Sequence, residues 1–236
     1  VRTVYVTPNG QFLLKGDANT GSEQHLVGAG LWFGKNGPFE SNAQGNYCLL
    51  AEPHRDFRLS VMNWNERDAD SLALFWERFY HEGDLQDDVP GTPESHSGAL
   101  CCTVTLPPGE QRGALVALSW YCPRFVVEGN DMGNRYTAAY DSALAVAAAG
   151  LRGGLKYFQT VDEWQQRLLR SSLPDWLSKG LINCNSVLTT NSLLTRGGRF
   201  SMMESTSRPL TGALDRRLYS SLSPLLLFPE LEHREL

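Results

Sequence analysis

The chain has 236 residues, of which 42% are hydrophobic and 20% are charged, and its formal net charge is −5. This composition is typical of a globular protein with one or two domains. The acidic balance and the lack of Lys/Arg clusters argue against nucleic acid as a partner, and no run of about 18 apolar residues predicts a membrane span.

The first 130 residues predict a β-rich domain, because short apolar runs alternate with Gly, Asn, Pro and Asp. Six such runs are expected to form strands, at 11–16, 29–34, 46–52, 57–64, 98–106 and 113–121. The last two flank the turn-forming sequence PPGEQR, which predicts that they pair as an antiparallel hairpin. The regular spacing of short strands favours a β-sandwich over a barrel.

One helix is expected among these strands, in the sequence DSLALFWERFYHEGD at 70–84. Asp70 is a suitable N-cap, and Gly83 can end the helix in the left-handed conformation. Four apolar residues share one face of this helix: Leu72, Phe75, Trp76 and Phe79. We expect these side chains to pack within the protein rather than to stack on a ligand.

Residues 131–236 follow a helical pattern and predict a second domain, so the chain is β-rich first and helical afterwards. Apolar residues recur at helical spacing over 138–170 and indicate one long helix or two short ones. Gly150, Gly153 and Gly154 each weaken such a helix by roughly 1 kcal/mol relative to Ala. Small residues there would permit the close approach of another helix.

Three further helices are predicted toward the end of the chain. Pro174 suits the first turn of a helix over 174–195. A helix over 212–228 contains Pro224, which should kink or split it, and a last helix begins at Pro229. The intervening segment 196–205 predicts a loop with one short strand.

The chain has five cysteines, an odd number, and no two of them form a C-x-x-C motif. Its five histidines are scattered without metal-ligand spacing. We therefore expect neither a disulfide framework nor a metal site, and the chain carries no N-x-S/T sequon. These features favour a reducing, cytoplasmic setting.

The two ends of the sequence indicate a piece of a longer chain. The first residues, VRTVYVTPNG, resemble a strand entered midway and have neither an initiator Met nor the layout of a signal peptide. The last residues, FPELEHREL, stop within a helical pattern.

Candidate site residues lie in the helical part. Leu177, Leu181, Cys184 and Leu188 fall on one helix face, so Cys184 is either a buried structural thiol or a side chain that faces a binding cavity. Glu204 follows two Met residues and lies either at a surface edge or in a polar pocket. Asp215 opens the sequence LDRRLY, where an acid in the first turn balances the helix dipole.

Five segments in order carry a family resemblance. They are LSWYCPRF (118–125), NRYTAAY (134–140), VDEWQQRLLRSSLPDWLSKGLIN (161–183), GGRFSMMES (197–205) and LDRRLYSSLSPLLLFPELE (214–232). Their order and spacing resemble glycoside hydrolase family 116, which includes β-glucosidases and non-lysosomal glucosylceramidases. The resemblance covers residues 98–236 well and the preceding residues loosely.

The resemblance implies an N-terminal β-sandwich, here 1–130, followed by the first helices of an (α/α)6 barrel, here 131–236 and incomplete. It also implies retaining hydrolysis of a β-linked glycoside by two carboxyl groups roughly 5–5.5 Å apart. A carbohydrate or glycoside is then the substrate, and no cofactor is needed.

The resemblance also assigns roles to single residues. The family sequence L-F-N-E-L-Y corresponds to LINCNS, so Asn183 matches the family Asn while Cys184 replaces the nucleophilic Glu. Glu204 matches the Glu that follows G-R-F, Asp215 matches a sugar-contacting Asp, and Arg217 replaces a His of the same stretch. The family's acid/base lies farther along a full-length chain, so the 236-residue piece itself is expected to be inactive.

These features are consistent with three hypotheses about function. The first is a divergent glycosidase in which Glu204, or a residue beyond this chain, replaces the missing nucleophile at Cys184. The second is a carbohydrate-binding or structural relative that has kept the fold and lost the chemistry. The third is an interaction module whose likeness to the family is accidental.

Overall fold

A computed structural model describes residues 2–6, 12–14, 28–34, 38–65, 67–85, 97–127, 129–203, 214 and 221–235. The chain divides into two compact units. The first contains residues 1–122 and 140–154, and the second contains 123–139 and 155–236. The predicted domain boundary at residue 130 stays a prediction.

The main sheet of the first unit is antiparallel and has five strands in the order β2-β1-β3-β4-β7. These strands are β1 (Arg2–Val6), β2 (Phe12–Leu14), β3 (Gly28–Gly34), β4 (Asn46–Ala51) and β7 (Val116–Tyr121). On β3 and β4, Leu31, Cys48 and Leu50 are fully buried. The apolar runs at 11–16, 29–34, 46–52 and 113–121 therefore predicted strands correctly.

A second antiparallel sheet pairs β5 (Arg58–Trp64) with β6 (Ser97–Thr103). The two sheets approach closely, since a Cβ added at Gly98 would lie 2.7 Å from Cδ1 of Leu31. The predicted hairpin between 98–106 and 113–121 is therefore wrong, because β6 pairs with β5 and β7 pairs with β4. The polar segment between them connects two sheets.

The helix α1 (Ala69–Glu82) interrupts these strands as predicted, with Gly83 left-handed at its C-terminal end. Its N-cap is Asp68 rather than Asp70, because the Asp68 carboxylate accepts the Asp70 backbone N–H at 3.1 Å. Phe75 packs against Trp64, with ring centroids 4.7 Å apart. Trp76 and much of the remaining apolar face are exposed.

A single long helix, α2 (Ala143–Leu169), forms where one helix or two were expected. Its first half packs on the main sheet, and the small residues serve this helix–sheet contact rather than contact with another helix. A Cβ at Gly154 would lie 3.0 Å from Cδ2 of Leu115, and one at Gly150 would lie 3.7 Å from Cβ of Ala117.

The first turn of α2 is held by two polar side chains of the sheet, both buried. The Asn46 side-chain oxygen accepts the Ala143 N–H at 2.8 Å, and the Ser119 hydroxyl donates to the Ala143 carbonyl at 2.6 Å. Because buried backbone groups need partners, these bonds fix where the helix begins.

The second unit contains short elements. They are β8 (Val126–Val127), β9 (Asn130–Asp131), a 3-10 turn (Arg135–Ala138), α3 (Asp175–Cys184), α4 (Val187–Thr190), β10 (Ser192–Leu194), β11 (Phe200–Met202), α5 (Leu222–Leu227) and α6 (Pro229–Glu235). β10 and β11 form an antiparallel hairpin. The strand expected within 196–205 and the helix expected from Pro229 are both confirmed.

The prediction of one continuous helix over 174–195 is wrong, because α3 and α4 are separate helices. The helix α3 ends at Cys184, where the Asn185 N–H bonds to the Ile182 carbonyl at 3.2 Å and tightens the turn. Residues 192–194 are a strand. In the helix predicted over 212–228, the structure describes α5 with Pro224 inside it, and residues 215–220 lie outside the described ranges. Within those ranges the helices do not close into a barrel.

Candidate functional site

Cys184 is the last residue of α3, and its side chain is exposed. The neighbouring Asn183 is exposed as well, whereas Leu177 and Leu181 on the same helix are half-buried. The Asn185 side chain donates to the Leu181 carbonyl at 2.7 Å and secures this end of the helix. Cys184 is therefore not the buried structural thiol that was one of the two expectations for it.

The other three predicted site residues, Glu204, Asp215 and Arg217, lie outside the described residues. Whether they share a cavity with Cys184 stays a prediction. The segment that leads to Glu204 is described and well anchored. The Met203 N–H donates to the Asn191 carbonyl at 2.7 Å, and the Met202 N–H donates to Oε1 of Glu235 at 3.0 Å.

One motif of the family resemblance contacts the residue that directly precedes another in the second unit. Arg135, in NRYTAAY, donates from its guanidinium to the Arg196 carbonyl at 2.9 Å, directly before GGRFSMMES. The Arg196 N–H contacts the Gly133 carbonyl at 3.1 Å, and its guanidinium donates to the Pro123 carbonyl at 3.1 Å. Gly133 has φ of 56°, and a Cβ there would lie 2.5 Å from the Arg196 guanidinium.

This arrangement fixes the turn between β10 and β11, which precedes Glu204 by only a few residues. The sequence alone does not show that Arg135 and Arg196 meet, because they are 61 residues apart. The available signal was the Arg-Gly-Gly sequence at 196–198, since glycines allow a tight turn and the preceding arginine can bond to carbonyl groups.

The thiols of the chain differ in their environments. Burial raises the pKa of the Cys48 thiol to about 12, and burial also raises the pKa of Cys122. The pKa of Cys102 is raised by burial first and by its neighbour Cys101 second. Because the thiolate is the nucleophilic form of cysteine, these three residues are unsuited to nucleophilic chemistry. All five cysteines are described, and none forms a disulfide.

A cleft of about 610 Å³ opens in the first unit, at one end of the β5–β6 sheet. Its walls come from 55–58, which lead into β5, from 103–105 at the end of β6, and from Glu110 and Arg112 in the following loop. The sequence predicted only strands and a turn in this region. The signal that could have pointed to it is the density of charge in EPHRD and PGEQR.

The described residues lack two further features, a metal cluster and a membrane-spanning helix. No three His, Cys, Asp or Glu side chains there are grouped so that they could hold a metal ion. No helix within those ranges has the length and apolar character needed to cross a membrane.

Comparison with known proteins shows a family to which the chain is similar. The family model described as beta-glucosidase 2, glycosyl-hydrolase family 116 N-term, matches residues 10–155. No curated protein matches the chain. The end of the match at residue 155 falls next to Gly154, where the first compact unit ends. Since the match spans more than half of the 236 residues, the chain belongs to glycosyl hydrolase family 116.

Proposed function

We propose that the protein containing this chain is a retaining β-glycosidase of the β-glucosidase or glucosylceramidase type, divergent at its usual nucleophile position, Cys184. The family match over residues 10–155 carries this proposal. Support from the second unit comes from the bond between Arg135, in the motif NRYTAAY, and the carbonyl of Arg196, the residue before GGRFSMMES.

The proposed architecture is the family's β-sandwich over residues 1–130, followed by the first helices of an (α/α)6 barrel over 131–236. The close contact between Gly98 and Leu31 on different sheets supports a sandwich. Exposed apolar side chains support a helical ring, because further helices would cover them. Such side chains include Trp176, Leu222, Leu225 and Leu226.

In the proposed mechanism a carboxylate attacks the anomeric carbon while a second carboxyl group protonates the departing oxygen, and water then hydrolyses the glycosyl-enzyme. The thiol of Cys184 offers no carboxylate oxygen for the first step. We assign that step to Glu204 and assign sugar contacts to Asn183, Asp215 and Arg217. The resemblance gives the acid/base role to no residue of this chain.

The alternative function is a carbohydrate-binding relative without catalytic activity. The substitution at Cys184 favours it, because loss of the nucleophile is the simplest way to abolish a retaining mechanism while the fold is kept. A carbohydrate or glycoside is the ligand in both cases. We also place the protein in the cytoplasm, which the five cysteines without a disulfide support.

The test is hydrolysis of aryl β-glucosides and β-xylosides by the full-length protein and three variants. If Glu204 is the nucleophile, Glu204→Gln lowers kcat by at least about 10²–10⁴-fold, the range typical for loss of a positioned catalytic group, while Cys184→Ser retains activity. Loss of activity only in Cys184→Ser would contradict the role of Glu204.

The third variant, Cys184→Glu, distinguishes the alternative. An inactive wild-type protein that binds the glycosides, and gains turnover when the carboxylate is restored at position 184, would be a relative that has lost its nucleophile. An active wild-type protein would exclude that alternative.

A further inference from the structure

We propose that the cleft at the end of the β5–β6 sheet is a binding site for an uncharged, polyhydroxylated ligand, a sugar ring or short oligosaccharide. Its volume of about 610 Å³ lies within the roughly 300–1,000 Å³ of small-molecule sites. The cleft belongs to the first unit and contains none of the residues assigned to the glycosidase reaction. The inference therefore stands without the proposed function.

The guanidinium of Arg112 is the central group of the cleft and is held on three sides. Its Nη2 contacts a Glu110 carboxylate oxygen, its Nε lies 3.4 Å from Oδ2 of Asp56, and its Nη1 donates to the Gln111 carbonyl at 3.0 Å. The side chain keeps 39% of its surface exposed. A planar donor fixed in this way loses little conformational entropy when it binds a ligand.

A buried carboxylate positions a second arginine. Nη2 of Arg58 lies 2.7 Å from Oδ2 of Asp84, whose side chain is only 7% exposed. Asp84 is itself fixed, because its Oδ1 accepts the Ser60 hydroxyl and the Leu85 N–H, the latter at 2.8 Å. Arg58 also stands opposite Thr103 in the strand register, so both walls of the cleft are set by the sheet.

Phe57 supplies the aromatic surface among the residues that line the cleft. Its N–H donates to the His54 carbonyl at 3.0 Å, and its ring meets the imidazole edge-on with centroids 5.7 Å apart. The Asp56 N–H bonds to Nδ1 of His54 at 3.2 Å. One histidine therefore fixes both the Phe57 ring and the backbone at Asp56.

The charges indicate which ligand fits. The three arginines of the cleft, Arg55, Arg58 and Arg112, are balanced by Asp56 and Glu110 in its lining and by Asp84 behind it. No excess positive charge is left to attract an anion. What the cleft offers is a set of hydrogen-bond donors and acceptors together with an aromatic side chain. Hydroxyl groups can both donate and accept, and the C–H face of a sugar ring suits the negative face of an aromatic ring.

The stability of the fold does not explain this arrangement. The contacts of Arg112 with Glu110 and Asp56 join partly exposed side chains, and such surface pairs contribute little to folding. Removal of Arg112 should consequently alter ligand binding while the thermal midpoint is nearly unchanged, a combination that a purely structural role would not produce.

The experiment titrates the full chain with methyl β-glucoside, cellobiose and, separately, sodium phosphate at constant ionic strength, followed by calorimetry and by amide NMR shifts. We expect a sugar to bind, and Arg112→Ala to weaken its binding by about tenfold or more, as loss of a charge-assisted hydrogen bond does. Phe57→Ala should weaken binding by a similar factor, because the apolar contact with the ring face of the sugar is lost. Arg152→Ala, an exposed arginine on α2 outside the cleft, is the matched control and should bind normally.

Glu204→Gln and Cys184→Ser separate this site from the proposed glycosidase centre, since neither residue lies in the cleft and both variants should keep the Arg112-dependent binding. Three results would overturn the inference: no sugar-induced amide shifts at the cleft residues at millimolar concentration, shifts at those residues that survive both Arg112→Ala and Phe57→Ala, or phosphate binding that depends on Arg112.

Discussion

The two halves of α2 have similar apolar patterns but different surroundings. From Ala143 to Gly154 the helix packs on the main sheet, with Ala147, Ala148 and Leu151 buried. From residue 155 onward its large apolar side chains are mostly exposed, including Phe158 at 69%. Because hydrophobic stabilisation depends on the area removed from water, the same pattern contributes to folding in one half and little in the other.

This contrast shows that an apolar stripe predicts a helix but does not show whether the stripe is covered. The first half is covered by Trp32, Cys48 and Leu50 of the sheet, and the family match ends where this packing ends. The exposed second half is what the proposed helical ring would cover.

The largest expected effect comes from leucines one turn apart on α2. Leu151 is 5% exposed and Leu155 is 72% exposed. We expect Leu151→Ala to lower the free energy of unfolding by about 2–5 kcal/mol, through lost burial and the cavity left behind. Leu155→Ala, the matched control, should change it by less than about 0.5 kcal/mol.

Urea unfolding of the 236-residue chain, followed by circular dichroism, measures both values. A similar destabilisation in the two variants would show that the second half of the helix is also covered in solution. The difference in burial between the two halves of α2 would then be wrong.

A smaller effect is expected where α2 begins. Asn46→Ala removes the acceptor of the buried Ala143 N–H, and an unsatisfied buried donor costs about 1–3 kcal/mol. The same unfolding experiment measures this loss.

The control is Ser142→Ala at the same helix terminus. Its half-exposed hydroxyl accepts the Ala145 N–H at 3.2 Å, and water can replace that partner, so about 1 kcal/mol or less is expected. Equal losses would mean that the bond from β4 gives no special anchorage.

These residues also show what could be predicted from the sequence. Local patterns identified nearly every described strand of the first unit and the long helix, because alternation and helical spacing are properties of short segments. The choice of partner strand was not predictable in the same way. The β6–β7 hairpin is wrong because pairing with β5 is decided by contacts distant in sequence, such as Gly98 with Leu31.

The candidate sites show the same division between local and distant information. Motif order located Asn183, Cys184 and Glu204 along the chain, but the exposure of Cys184 depends on where α3 ends. The cleft around Arg112 was not predicted, because its walls are brought together from positions that are about fifty residues apart. The bond between Arg135 and the Arg196 carbonyl was missed for the same reason.

The smallest expected effect is a pH dependence of the first unit's core. Burial raises the pKa of Cys48 from 9.0 to about 12, so the folded state holds this proton more tightly than the unfolded state does. Above pH 9 unfolding therefore releases a proton, and the stability that Cys48 contributes falls as the pH rises toward 12.

At pH 10 the loss relative to pH 8 should be about 1.4 kcal/mol, one pH unit of linkage. Cys48→Val fills a similar volume without an ionisable group, and every other titrating group is shared with the wild-type chain. The difference in unfolding free energy between the two chains should therefore shift by that amount between pH 8 and pH 10. If the difference in unfolding free energy is the same at pH 8 and pH 10, water reaches the Cys48 thiol in the folded state. The first half of α2 would then not cover the main sheet in the way that its burial requires.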